Sequence, residues 1–208
     1  MPTEVADGVF DITSETEDSG KRYRVYLFTN GTPTIVDAGL GETAGAVIDT
    51  IDEMGVTPER LVITHGDGDH IGGFDALVEA YDLETWVPER TEADVDNEPT
   101  HRYGDSDSIG PFTAVHVPGH EPDNHALIDE SAGIAVMGDA VSGADQRGLP
   151  EGYFHLPPAF YSQNLNQAEE SLERLLEYEF DVGLVFHGSS VTEDAREKLD
   201  RYVNFPGK

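Results

Sequence analysis

The stretch Leu61-Val62-Ile63-Thr64-His65-Gly66-Asp67-Gly68-Asp69-His70-Ile71-Gly72-Gly73 constrains the fold of this chain more than any other. Its apolar opening reads as the end of a buried strand, and Gly72-Gly73 leads into an amphipathic run from Phe74 to Tyr81. Between them, His65, Asp67, Asp69 and His70 stand at i, i+2, i+4 and i+5. Glycines 66 and 68 permit a backbone tight enough to turn these side chains toward one point. Imidazoles and carboxylates gathered so closely without a cation would repel one another or lie badly desolvated. The spacing therefore points to a metal site rather than to a polar surface turn.

Composition narrows the rest. A length of 208 residues suits a single domain, 1–208, with a substantial core. The absence of cysteine excludes disulfides, thiolate-bound zinc, iron–sulfur clusters and a thiol nucleophile. Met1-Pro2-Thr3-Glu4 carries neither a basic nor an apolar leader, and no apolar run approaches the roughly 18 residues of a membrane span. A soluble, cytoplasmic protein without membrane contact is expected. Forty-two acidic residues against twelve basic ones give a net charge of −30, with lysine only at Lys21, Lys198 and Lys208. Such self-repulsion weakens a compact state in ordinary salt but fades where the Debye length falls to about 3 Å, near 1 M. The charge points to a high-salt cytoplasm and against a nucleic-acid partner, since no basic stripe is present to neutralise phosphates.

Taken in order, Val5 to Asp11 and Arg22 to Thr29 read as an antiparallel strand pair joined by the acidic loop Ser14 to Gly20. A strand over Thr34 to Gly39 follows, then a helix over Ala44 to Met54 closed by Gly55, and the strand Leu61 to Thr64. Phe74 to Tyr81 is a short helix and Glu84 to Val87 a strand. Residues 88–108 are polar enough to read as an exposed insertion or lid. Strands are expected at Phe112 to Val117, Ala126 to Ile128, Gly133 to Met137 and Val182 to Phe186. Asn164 with Gln167 predicts a capped helix, as does Ser190 with Glu193 for a last helix to about Tyr202.

A recurrent pattern ties the strands together. Apolar segments end in His65, His120, Asp139 and His187, each beside a glycine. Active sites of layered α/β architectures gather at such strand ends. On these residues the chain resembles the metallo-β-lactamase superfamily over nearly its whole length. The family pattern His-x-His-x-Asp-His falls on His65, Asp69 and His70, the distal His on His120 in Pro-Gly-His-Glu-Pro, the bridging Asp on Asp139 in Met-Gly-Asp, and the final His on His187. The resemblance implies an α+β, four-layer αβ/βα sandwich, with His65 and His120 on one metal, Asp69, His70 and His187 on a second, and Asp139 between them. Glyoxalase-II-like and lactonase-like branches are the nearest in character.

Asp67 stands where that family usually has its second His. As a hard, negatively charged ligand it shifts preference from zinc toward iron or manganese. If Asp67 does not coordinate, His65, His120 and Asp139 make a two-His, one-carboxylate set suited to a single iron, as in superfamily sulfur dioxygenases.

The expected cofactor is a pair of divalent ions, zinc first, with iron or manganese as alternatives. The expected activity is hydrolysis of a small ester, thioester or lactone by hydroxide generated at the metals, with Asp69 orienting water or carrying a proton. The alternative is an iron oxidoreductase of the same fold. Tyr153 and Tyr161 are weaker candidates as oxyanion donors; His101, His116, His125 and His155 are not expected to be ligands, and Trp86 reads as core. Loop 142–161, with Phe154, His155, Leu156, Phe160 and Tyr161, is the expected substrate wall.

Overall fold

The computed structural model describes residues 2–13, 23–92 and 94–205. The chain forms two compact units, divided between Tyr103 and Gly104.

The first unit is one seven-stranded sheet in sequence order. β1 (Thr3–Ala6), β2 (Val9–Asp11), β3 (Tyr26–Phe28) and β4 (Thr34–Val36) are antiparallel neighbours. α1 (Ala44–Met54) then crosses to β5 (Arg60–Val62), and α2 (Gly68–Ile71) and α3 (Phe74–Ala80) cross to β6 (Glu84–Pro88), beside which lies β7 (His101–Tyr103). β4 to β7 are mutually parallel. Val47 and Ile51 of α1 and Phe74 and Leu77 of α3 pack on Leu27, Ile35, Leu61 and Ile63, making a helical layer on the sheet.

The second unit carries a five-stranded sheet, ordered β14 (Val182–Leu184), β11 (Ile134–Val136), β10 (His125–Asp129), β9 (Phe112–His116) and β8 (Ser108–Ile109). β11 and β14 are parallel and the other pairs antiparallel. A separate hairpin joins β12 (Ser142–Gly143) to β13 (Phe154–His155). Leu172, Leu175 and Leu199, from the helical segment that begins with α4 (Leu165–Ser171) and from α5 (Ala195–Val203), cover Val115, Ala126, Ile128, Ala135 and Met137.

Both sheets aim their functional loops by strand direction. In the first unit Val36 is level with Val62, and Asp37 N–H continues the ladder to the Val62 carbonyl at 2.9 Å. The loops carrying Asp37 and His65 therefore leave the same end of the sheet. In the second unit β9, β11 and β14 run in one direction, because β10 opposes both β9 and β11 while β14 parallels β11. His120, Asp139 and His187 thus all follow carboxyl ends of like-directed strands, the usual location of sites in open sheets.

The structure corrects several expectations. Val5 to Asp11 is not one strand: it turns at Asp7-Gly8, where Gly8 has φ +68°, into the β1–β2 hairpin. Much of the acidic loop between β2 and β3 lies outside the described residues. Segment 88–108 is exposed over most of 89–102, as expected, but it also contains β7, whose buried Tyr103 donates its hydroxyl to the Ile63 carbonyl at 2.6 Å. Loop 142–161 holds the β12–β13 hairpin. Ser190 does not cap the last helix. Its hydroxyl accepts the Val185 N–H at 3.2 Å, while Val191 bridges to Gly183, and α5 starts only after Asp194. Asn164 does cap α4, its side chain accepting the Gln167 N–H at 3.1 Å, and α1 ends at Gly55 with φ +66°.

Candidate metal centre

Each unit contributes a cluster at its strand ends. In the first, His65 is fully buried after β5, and α2, a single turn unseen in the sequence pattern, carries Asp69 and His70. The imidazoles of His65 and His70 lie with centroids 4.0 Å apart. Asp67 Oδ2 is 3.7 Å from His65 Nε2. Asp67 sits at the N-cap position of α2 but makes no side-chain cap bond, so its carboxylate is turned to the histidine rather than to the helix. Asp69 is half-buried.

Beneath these residues lies Asp37, fully buried and with φ +58°. That left-handed conformation is one Asp adopts more readily than most residues. Its Oδ1 accepts Thr64 N–H at 2.7 Å, and its Oδ2 accepts the Thr64 hydroxyl at 2.8 Å. His70 Nδ1 is 2.6 Å from the same Oδ2. Because the Thr64 hydroxyl donates to Asp37, it accepts from His65 Nδ1 at 3.1 Å. One carboxylate thereby sets the tautomer of both rings: Nδ1 carries the proton in each, and Nε2 is the nitrogen a cation would take. Metal-binding histidines are held by their second nitrogen in this manner.

The Gly72-Gly73 step is dictated by packing. A Cβ on Gly73 would stand 2.3 Å from the Ala38 carbonyl, in the loop that also accepts Gly73 N–H at Gly39 and donates Ala38 N–H to the His70 carbonyl at 2.6 Å.

In the second unit Asp139 Oδ2 stands 3.4 Å from His120 Nε2 and 3.1 Å from His187 Nε2. Asp139 and His120 are buried, and His187 is partly exposed. Asn124, also buried, links two of the three loops: its Oδ1 accepts Asp139 N–H at 2.9 Å and its Nδ2 donates to the Val117 carbonyl at 3.0 Å. Gly143 N–H donates to the His187 carbonyl at 2.8 Å. Gly119 has φ +137°, and a Cβ there would meet the Ala168 nitrogen at 2.2 Å, so only glycine lets α4 close on the His120 loop.

The sequence missed Asp37, Thr64 and Asn124. Asp37 had a signal, since Val36-Asp37-Ala38-Gly39 repeats the pattern of an apolar strand ending in a ligand-type residue near glycine. Asn124 had none, its role resting on contacts made only after folding. Among the remaining histidines, His116 donates Nε2–H to the Pro122 carbonyl and His125 Nδ1–H to the Asp123 carbonyl, at 2.8 and 2.7 Å. Burial pushes the His125 pKa down to about 4, against the raising effect of the Asp123 carbonyl. His101 stacks on Trp86 with centroids 4.2 Å apart.

In each unit the donors suit a divalent cation: in the first, imidazoles fixed through Nδ1, and in the second, a carboxylate oxygen near two imidazole Nε2 atoms. Residues 23–94 match the sequence model of the metallo-β-lactamase superfamily. The probable metallo-hydrolase YflN of Bacillus subtilis is 22% identical over 213 residues, covering 82% of this chain and 81% of that protein. A hydroxyacylglutathione hydrolase of Serratia proteamaculans is 32% identical over 135 residues, which cover 62% of this chain and 51% of that protein, so the chain spans about half of it. Among solved structures, a metallo-β-lactamase from Hirschia baltica superimposes with a TM-score of 0.75 at 16% identity, over 98% of this chain and 95% of that one. The fold is the α+β metallo-β-lactamase fold. Residues 23–94 thus carry the sequence signature of the metallo-β-lactamase superfamily, on a chain that has that fold.

Proposed function

We propose that the chain hydrolyses a small ester, thioester or lactone by metal-dependent chemistry. Two divalent ions would be held by His65, Asp67, Asp69, His70, His120, Asp139 and His187, zinc being the first candidate and iron or manganese the alternatives that Asp67 admits. Such ions, when bound, lower the pKa of water and polarise a carbonyl. The chain's own residues then have distinct tasks. Asp37 and Thr64 keep the protons of His65 and His70 on Nδ1, and Asn124 fixes the backbone of Asp139. Asp69, half-buried on α2, would hold a proton for the leaving group.

The observation that carries this reading is the Asp139 oxygen at 3.4 and 3.1 Å from His120 and His187. Two imidazoles and a carboxylate gathered this closely are donors that a divalent cation would take up. Hydroxyacylglutathione hydrolase and the probable metallo-hydrolase among its relatives support hydrolysis, and the absence of any cysteine removes a thiol nucleophile. The net charge of −30 favours a small molecule over nucleic acid and supports a working environment of molar salt.

The test is to load the protein with zinc or ferrous ion in molar salt and assay thioesters and lactones beside oxygen consumption. Zinc-dependent turnover that a chelator abolishes is expected. Oxygen uptake with ferrous ion, without hydrolysis, would replace the reading with an iron oxidoreductase.

A further inference from the structure

Large apolar side chains exposed among the described residues are Leu149, Tyr153, Phe160, Tyr161 and Phe205, and all but the last lie between 149 and 161. Phe160 is 89% exposed and Tyr161 59%, their rings meeting edge to face at 5.1 Å. By contrast Phe154 is buried and Leu156 packs against the core, so neither forms a wall.

The backbone turn that carries the aromatic pair is held by hydrogen bonds. Tyr161 N–H and the Ser162 hydroxyl both donate to the Pro158 carbonyl, at 2.9 and 3.2 Å. The segment is also tied at each end to ligand-bearing loops. Gly143 N–H donates to the His187 carbonyl at 2.8 Å, Gln163 N–H to the His120 carbonyl at 3.0 Å and Asn164 N–H to the Gly119 carbonyl at 2.9 Å. One residue, Ser162, separates Tyr161 from that bond to His120. Aromatic side chains have only two side-chain torsions, so they bind with little ordering cost.

We propose that Phe160 and Tyr161 form a specificity lip for the apolar acyl or aryl group attached to the scissile carbonyl. This deepens the hydrolase reading and rests on it. The tie to the His120 loop makes a substrate at the candidate ligands the occupant, and the rings, apolar and uncharged, suit a neutral, apolar substituent.

The test compares p-nitrophenyl octanoate with p-nitrophenyl acetate for the wild type and for the double variant Phe160→Ser, Tyr161→Ser. The octanoate-to-acetate ratio of kcat/KM falls about 10–200-fold if the lip selects the chain; an unchanged ratio overturns the proposal. A second readout needs no turnover. Titration with octanamide in molar salt gives a dissociation constant at least about tenfold weaker in the double variant, and equal binding overturns the proposal. The two failures are distinguishable: no ester turnover with octanamide binding lost in the variant sinks the hydrolase reading alone, whereas turnover with ratio and binding unchanged sinks the lip alone. A wild-type dimer that the double variant splits, seen by sedimentation, makes the patch a self-association surface and also overturns the proposal.

Discussion

Asp37 accepts bonds from the Thr64 backbone, the Thr64 hydroxyl and the His70 ring, and reaches His65 through that hydroxyl. Replacing it with Asn keeps the shape and tolerates the left-handed backbone, but exchanges a charged acceptor for a neutral one. Asp37→Asn is therefore expected to weaken zinc affinity about 10–100-fold, measured by competition with a chromophoric chelator. Asp67 tests a different property. Asp67→His retains the fold and shifts metal preference toward zinc over manganese, read from competitive loading; unchanged selectivity removes Asp67 from the ligand set. His125 offers a pH signature. Its folded pKa is about 4, below the ordinary 6.5, so the unfolded chain binds the extra proton between those values. Stability from this group is complete above about pH 6.5 and lost as pH falls toward 4, by up to about 3 kcal/mol. Chemical denaturation at pH 7, 5.5 and 4 should show His125→Gln losing less stability on acidification than the wild type.

At the scale of elements, the helices were the most legible part of the sequence. Ala44 to Met54 has apolar residues at helical spacing and a closing glycine, and the structure gives α1 those bounds. Asn164 announced the start of α4 through local chemistry alone. What escaped were features decided by partners distant in the chain. Tyr103 makes β7 a buried strand through a bond to Ile63 forty residues earlier, which the polar run around it hid. Ser190 resembles a cap but serves the Val185 N–H instead. Two predictions belong here. Asn164→Ala removes the cap of α4 at a cost of about 1 kcal/mol, lowering Tm by about 2–4 °C in a calorimetric scan. Gly119→Ala drives a Cβ into the α4 backbone and destabilises by about 1–3 kcal/mol or more, while a surface Gly45→Ala change, with open space around it, does not.

For the whole molecule, the sequence made the candidate ligands legible because four of them end strands beside a glycine and the rest cluster within five residues of His65, yet it was silent on what holds them. Histidines 65, 70, 120 and 187 could be picked out by spacing, while Asp37, Thr64 and Asn124 act through hydrogen bonds that only folding creates. Among the described residues no helix is long and apolar enough to cross a membrane. The charge of −30 leads to a prediction at this scale: Tm rises steeply between about 0.1 and 2 M potassium chloride as the Debye length contracts, and a flat salt response would remove the high-salt proposal. The most direct measurement of the central claim is metal stoichiometry by mass spectrometry after zinc loading and dialysis in molar salt. Two zinc ions per wild-type chain, falling to one or none in both His65→Ala and His187→Ala with the fold intact by circular dichroism, are expected. Zinc content unaffected by either substitution would contradict it.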